Sequence, residues 1–87
     1  MIDYVSLIEL PQHGAIAIHQ GEKILAMSNS ASFLARMIAE NGGVQKTVMG
    51  SSGFIEATCG DDETAQEYGF LNAKDVIDLW DDVCNLV

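Results

Sequence analysis

The sequence predicts a small α+β domain in which an antiparallel sheet of about five strands carries two helices on one face. Short apolar segments alternate with tight turns in the first part of the chain. Two longer segments, residues 28–43 and 72–87, repeat apolar residues at helical spacing. Short links between strands require antiparallel neighbours, and amphipathic helices bury their apolar side against a sheet. The predicted two-layer order is β-β-β-α-β-β-α, with room for a short extra helix.

The first strand is predicted over residues 2–10, although a short helix would fit these apolar residues nearly as well. The loop that follows reads LPQHG, with Pro11 second and Gly14 fifth. This spacing suits a type I turn followed by a left-handed residue at Gly14. We therefore expect a hairpin at this point.

A second hairpin joins AIAIHQ to KILAM through Gly21 and Glu22. Glycine at the first position of a two-residue loop favours a type II′ turn, which fixes the register of the two strands. One face would then carry Ile16, Ile18, Leu25 and Met27. The other face would carry Ala17, His19, Ile24 and Ala26.

The first helix is predicted within residues 28–43, capped by Ser28 or Ser30 and ended by Gly42 or Gly43. The segments VQKTVM and FIEATC, joined by GSSG, predict a further hairpin over residues 44–59. The acidic segment that follows has the composition of one or two helical turns. It would start at Asp61 or Asp62 and stop at Gly69.

The last helix is predicted to begin after Asn72, a good N-cap residue, with Leu71 and Val76 packed around that start as a hydrophobic staple. Its apolar residues recur at steps of three and four positions, and Trp80 lies within that stripe. Core packing is therefore the better interpretation of Trp80, although tryptophan also anchors interfaces.

The chain has 87 residues, which corresponds to one domain over residues 1–87, and its apolar fraction of 48% is too high for a disordered chain. No apolar run approaches a membrane span, and no basic segment precedes an apolar stretch at the start. We therefore expect a cytoplasmic protein. Its two cysteines are far apart in the sequence, which favours reduced thiols over a disulfide.

The charge is strongly negative and unevenly distributed. Thirteen acids and four bases give a net charge of −9, of which residues 56–87 contribute −8 and residues 1–55 only −1. Nucleic acids and anionic membranes are bound by lysine and arginine, so this chain is predicted to bind neither directly. A basic protein surface is the partner that its charge favours.

The residue pattern favours neither a metal site nor an enzyme. Zinc ligands usually occur in closely spaced pairs. The four candidate ligands are instead scattered along the sequence, and they are His13, His19, Cys59 and Cys84. The run GDDET lacks the alternating pattern of a calcium loop, and GSSG is not a nucleophile elbow. No nucleophile, base and orienting group can be assembled from the motifs, so we expect no catalytic residues and no cofactor.

The acidic residues of the second half are the candidate partner-binding residues, namely Asp61, Asp62, Glu63, Glu67, Asp75, Asp78, Asp81 and Asp82. A solvated polar surface that only keeps the protein soluble would have the same composition. However, Lys74 is the one base among them, and Asp81 and Asp82 would lie in the last turns of a helix, where acids are unfavourable. A marginally stable domain that tolerates this destabilisation can be using the electrostatic field of its acids to bind a partner.

The hypothesis is therefore a small, non-enzymatic inhibitor that imitates nucleic acid and occupies the basic surface of a nucleic-acid-binding complex. Small acidic phage proteins that block restriction or CRISPR complexes are the class-level analogy, and an anti-CRISPR or anti-restriction role is the example it suggests. The alternative is a homo-oligomeric module, or a small subunit of a larger assembly, that associates through the sheet. The first hypothesis predicts a monomer, or a homodimer whose acidic surface stays accessible.

Overall fold

The computed structural model describes residues 2–43 and 61–87, which form an α+β fold with an antiparallel sheet. The described elements are β1 (Tyr4–Leu10), β2 (His13–Gln20), β3 (Lys23–Ser28), α1 (Ala31–Glu40), α2 (Asp62–Glu67) and α3 (Ala73–Leu86). The three described strands pair in the order β1-β2-β3. The hairpin predicted at residues 44–59, and Cys59 with it, lies outside the described residues. The five-strand sheet and its full order therefore stay a prediction.

The loop between β1 and β2 is tighter than the sequence suggested. Leu10 pairs directly with His13, so only Pro11 and Gln12 form the loop. The left-handed residue is Gln12, with φ of 68°, and Gly14 lies inside β2. Proline at the second position and positive φ at the third are the marks of a type II turn. The prediction of a type I turn with Gly14 left-handed was wrong.

The turn between β2 and β3 has the predicted glycine geometry. Gly21 has φ of 60°, whereas Glu22 is not among the residues with positive φ, as a type II′ turn requires. The pair next to the turn, Gln20 with Lys23, also follows the expected register. In addition, the backbone N–H of Gly21 donates to Oδ2 of Asp3 at 2.7 Å, which ties this turn to the start of β1.

Beyond the first two pairs the register departs from the prediction. A β-bulge shifts the pairing, so Ile18 faces Ala26 instead of Leu25. Leu25 and Ala26 consecutively pack against the core, whereas Met27 pairs with Ala17 on the opposite face and is 38% exposed. The predicted faces were therefore wrong for Ala26 and Met27. A bulge places two neighbouring side chains on one side of a strand, which a strict alternation cannot do.

The helix ends follow the capping residues in the sequence. Ser30 caps α1, Asp61 caps α2 and Asn72 caps α3, each through a side-chain oxygen that accepts a backbone N–H. After α1 and α2 the chain turns through glycines with positive φ, at 88° for Gly42 and 86° for Gly69. The predicted starts of all three helices and the predicted stops of α1 and α2 are confirmed.

The core joins the helices to one face of the sheet. The strands contribute Ile16 and Ile18 among others, and Trp80 is the largest fully buried side chain, with 1% of its surface exposed. The interpretation of Trp80 as a core residue is confirmed. The buried cluster consists of Ile2, Val5, Leu7, Ile16, Ile18, Leu34, Ile38, Ala65, Val76, Trp80 and Val83. The predicted staple is wrong in one respect, because Leu71 is 74% exposed while Val76 is buried.

A backbone contact ties the segment between α2 and α3 to the hairpin of β1 and β2. The N–H of Gly14 donates to the carbonyl oxygen of Gly69 at 3.1 Å. The ring of Phe70 occupies the space that a side chain at position 14 would need, since an added Cβ would lie 2.3 Å from Cδ2 of that ring. Glycine at position 14 therefore permits the close approach of the acidic helical segment to the sheet.

None of the helices in the described ranges is long and apolar enough to cross a membrane.

Candidate functional site

The eight candidate acidic residues all lie on exposed surface. They sit on α2, on α3 and at the cap before α2, and they are Asp61, Asp62, Glu63, Glu67, Asp75, Asp78, Asp81 and Asp82. Residues 61–87 carry these eight acids against Lys74 alone, a net charge of −7. The segment that contains α2 and α3 therefore forms an acidic surface.

Two of the eight acids stabilise the backbone around α2 and α3. Oδ1 of Asp61 accepts the N–H of Thr64 at 2.7 Å, which caps α2. Oδ1 of Asp62 accepts the N–H of Ala73 at 3.0 Å, which joins the start of α2 to the start of α3. Acids at helix starts are favourable because the first N–H groups lack partners within the helix. Local folding therefore explains both residues without any partner protein.

A third acid belongs to an ion pair on the outer side of α3. Nζ of Lys74 lies 2.7 Å from Oδ2 of Asp78, one helical turn away. The hydrogen bond and the charge of Asp78 raise the pKa of Lys74. Both side chains are exposed, so the pair contributes little to stability. It does, however, occupy the single base of residues 61–87.

Five acids have no such role. The side-chain carboxylates of these five form no hydrogen bond or ion pair with the described residues, and they are Glu63, Glu67, Asp75, Asp81 and Asp82. We call these five the unpaired acids. A carboxylate without a partner in its own chain keeps all of its acceptor positions available to another molecule. Glu63 and Asp75 lie in the first turns of α2 and α3, where acids are favourable. Glu67, Asp81 and Asp82 are therefore the part of the predicted set that local structure does not explain.

The energetic cost of the acids on α3 differs from what the sequence suggested. The helix continues to Leu86, so Asp81 and Asp82 precede its last turn. The helix dipole acts mainly within the last turn. The destabilisation caused by acids near the C-terminal end of α3 is therefore smaller than predicted. The repulsion between Asp78 and Asp82, one turn apart, remains and costs about 0.2–0.5 kcal/mol.

Acidification provides a test of the capping role of Asp61. The hydrogen bond from Thr64 lowers the pKa of Asp61 below its ordinary 3.8. A lowered pKa stabilises the fold above about pH 5, and this contribution disappears as the pH falls through the folded pKa. We expect Asp61→Asn, which keeps the acceptor but not the charge, to show a smaller drop in thermal midpoint on acidification than the wild type. Equal drops, measured by circular dichroism, would contradict this role.

The other candidates for chemistry do not assemble into a site. Within residues 2–43 and 61–87, no three His, Cys, Asp or Glu side chains are arranged to hold a metal ion. No pocket is found in the part of the chain that the structure describes. Cys84 is half-buried on α3, and this burial, with the nearby charge of Asp81, raises the pKa of its thiol. A raised pKa disfavours the reactive thiolate.

The sequence did not predict a polar contact on the face of the sheet opposite the buried cluster. His19 is 8% exposed, and its Nε2 lies 2.7 Å from Oγ of Ser6 on the neighbouring strand. The ring of Tyr4 stacks on His19 with centroids 4.2 Å apart. The β1–β2 register, which pairs Tyr4 with His19, brings these three side chains together. Only knowledge of that register could have revealed them.

Comparison of the chain with protein-family models, with curated proteins and with solved structures found no significant match.

Proposed function

We propose that this protein binds the basic surface of a partner protein through the acidic surface formed by α2 and α3. The observation that supports this is the set of five unpaired acids, which are exposed and share residues 61–87 with a single base, Lys74, that is paired with Asp78. A partner rich in lysine and arginine would supply the missing counter-charges. It would also relieve the repulsion between neighbouring aspartates on α3.

The row of carboxylates along α3 is the reason to propose a partner that otherwise binds nucleic acid. Asp75, Asp78 and Asp82 follow one another along α3 at steps of three and four residues. With a rise of about 1.5 Å per residue, this gives one charge per roughly 5 Å of helix. A nucleic-acid strand carries one charge per about 3.4 Å. The carboxylates are therefore more widely spaced than phosphates, and Asp78 already has Lys74 as a counter-charge. The proposed resemblance to nucleic acid is a row of negative charge and does not extend to the phosphate spacing.

The proposed activity is inhibition of the partner by occupation of its basic, nucleic-acid-binding surface, without catalysis and without a cofactor. A strongly negative surface steers a positively charged partner toward it and makes the association sensitive to salt. It repels nucleic acid itself and anionic membranes, so a protein is the proposed ligand. A restriction or CRISPR complex is one example of a machine with such a basic channel.

Affinity capture from a cell lysate, washed at low and at high salt, tests the proposal. The informative variant changes Asp75, Asp81 and Asp82 to asparagine and is called the triple-Asn variant. The three carboxylates are exposed and accept no hydrogen bond from described residues. The small loss from the first-turn charge of Asp75 is offset by the relief of repulsion at Asp82, so the fold should remain intact. We expect a nucleic-acid-binding protein to be retained by the wild type at low salt and released at high salt. Its affinity for the triple-Asn variant should fall about 10- to 100-fold.

The matched control changes Glu9, Glu22 and Glu40 to glutamine and is called the triple-Gln control. These three acids are also exposed, but they lie on the sheet strands, a turn and the end of α1. The control changes the net charge by the same amount as the triple-Asn variant. It therefore distinguishes an effect of the acids on α3 from an effect of the total charge. Equal capture by the wild type, the triple-Asn variant and the control would mean that the acids serve solubility only.

A further inference from the structure

We propose that Asn41 is a site of spontaneous deamidation, and that its conversion loosens the end of α1 from the backbone just before β1. Asn41 is the C-cap residue of α1, and Gly42 and Gly43 follow it. Of the four asparagines in the chain, it is the one that precedes a glycine. This proposal does not depend on the proposed function, because it involves neither α2 nor α3.

The reaction needs only the chain itself and water. The backbone nitrogen of Gly42 attacks Cγ of the Asn41 side chain, and the new C–N bond closes a succinimide ring. The bond from Cγ to Nδ2 breaks, and that nitrogen leaves as ammonia with the proton of the Gly42 N–H. Water then opens the ring at either carbonyl, which leaves aspartate or isoaspartate at position 41. Glycine favours the first step because it has no Cβ to obstruct the attacking nitrogen.

The attacking nitrogen is weakly held in the structure. Gly42 is exposed, and its N–H donates to the carbonyl oxygen of Ala39 at 3.4 Å. This bond is longer than any other backbone hydrogen bond in the turns and loops of the described residues. The terminal turn of a helix also opens at little cost in free energy. Small movements at the end of α1 can therefore release the nitrogen for attack.

The nitrogens that follow the other three asparagines are held more firmly. The N–H of Ser30 donates to Oγ of Ser28 at 2.9 Å, and the N–H of Ala73 donates to Oδ1 of Asp62 at 3.0 Å. Leu86 belongs to α3. Each of these nitrogens also lies beside a side chain that glycine lacks. The chain thus supplies three internal comparisons for position 41, namely Asn29, Asn72 and Asn85.

Conversion would remove a contact that caps α1. Nδ2 of Asn41 donates to the carbonyl oxygen of Met37 at 2.8 Å, which satisfies one of the carbonyls that a helix end leaves without a partner. A carboxylate only accepts hydrogen bonds, so it would face that oxygen without a proton to donate. It would also add a negative charge at the negative end of the helix dipole, where the last turn of α1 has no base.

Isoaspartate would extend the effect to the backbone, because the main chain would then run through the side chain of residue 41 and gain an atom. The N–H of Gly43 donates to the carbonyl oxygen of Ile38 at 2.9 Å, and the carbonyl oxygen of Gly43 accepts the N–H of Ile2 at 2.8 Å. Both isoleucines are fully buried. A displaced Gly43 would weaken both bonds, so a reaction at the surface would reach two core residues.

Ageing of the folded chain followed by tryptic mapping tests the inference. Cleavage after lysine and arginine separates the four asparagines into four peptides, which span residues 24–36, 37–46, 47–74 and 75–87. After incubation at mildly alkaline pH and physiological temperature, we expect the deamidated fraction at position 41 to be several-fold higher than at the other three asparagines. Peptide fragmentation locates the change. Equal fractions at all four asparagines, or no conversion at position 41, would overturn the inference.

The structural consequence is measured on the same aged material. Anion exchange isolates the converted chains, which carry one negative charge more than the −9 of the unconverted chain. Their thermal midpoint, followed by circular dichroism, should be lower than that of the unconverted chain by roughly 4–8 °C. Asn41→Asp imitates one product and should show a lowered midpoint without ageing. A converted form as stable as the unconverted chain would also overturn the inference.

Asn41→Gln is the matched control for other ageing reactions, such as the oxidation of methionine. Glutamine keeps the amide group, but its longer side chain would have to close a larger ring, which forms more slowly. We expect this variant to keep its thermal midpoint under the ageing conditions that lower the midpoint of the wild type. An equal loss in both proteins would mean that the damage does not arise at position 41, and it would contradict the proposal.

Discussion

Replacement of Trp80 by alanine should lower the free energy of unfolding by about 3–5 kcal/mol, which is enough to unfold much of a domain of this size. The indole is 1% exposed, and it packs in the cluster that joins α1 and α3 to Ile16 and Ile18 of the sheet. Removal of so large a side chain would leave a cavity that a small core cannot close. Urea unfolding followed by circular dichroism measures the loss, since the variant lacks the protein's single tryptophan as a fluorophore.

Trp80→Phe is the informative control for this prediction. Nε1 of Trp80 is buried and finds no hydrogen-bond partner among the described residues. Phenylalanine removes that unsatisfied donor and keeps most of the apolar contact, so it should cost much less than alanine. A loss below about 1 kcal/mol for Trp80→Ala would mean that Trp80 is not central to the core.

Gly14→Ala should be the second most damaging of the substitutions considered, with an expected loss of about 1–3 kcal/mol. The new Cβ would lie 2.3 Å and 2.4 Å from two ring carbons of Phe70, far closer than van der Waals contact permits. Either Phe70 or the backbone at Gly14 must move, and the latter would disturb the hydrogen bond to Gly69. Urea unfolding again measures the effect.

A double-mutant cycle identifies the cause of that loss. Phe70→Leu replaces the ring with a smaller side chain and should itself be destabilising, because Phe70 packs against the core. In the double variant, however, the added methyl group at position 14 should cost less than it does beside the ring. If the two losses simply add, the cost of Gly14→Ala arises elsewhere and the proposed contact does not hold the segment between α2 and α3.

Local signals in the sequence were sufficient for most of the elements. Capping residues and the apolar spacing that follows them predicted α1 and α3. For α2 the signals were an acidic capping residue at its start and Gly69 at its end. The turn at Gly21 predicted the hairpin of β2 and β3. These signals are sufficient because a cap or a turn depends on residues that are neighbours in the chain.

Features that depend on packing between distant segments could not be predicted in this way. The bulge that takes Ala26 to the core and Met27 to the opposite face of the sheet follows from how β3 meets the core. The left-handed conformation at Gln12 replaced the expected one at Gly14, because the backbone of Gly14 continues β2 and contacts Gly69. In both cases tertiary contacts decided between local alternatives.

For the candidate site, composition alone predicted that the acids would face solvent, but it could not divide them by role. The helix capped by Asp61 was expected, whereas the bond from Ala73 to Asp62 joins residues eleven positions apart and needed the structure. The same applies to the contact of His19 with Ser6. The division into structural and unpaired acids is what makes the triple-Asn variant a sharp test.

The most direct test of the proposed function is the salt dependence of the dissociation constant for a partner identified by affinity capture. It should be measured for the wild type, the triple-Asn variant and the triple-Gln control. The account predicts a dissociation constant that rises steeply with salt for the wild type and the control. For the triple-Asn variant, it predicts weaker binding at low salt and a shallower dependence. Three coincident curves would contradict the claim that the acids at positions 75, 81 and 82 bind the partner.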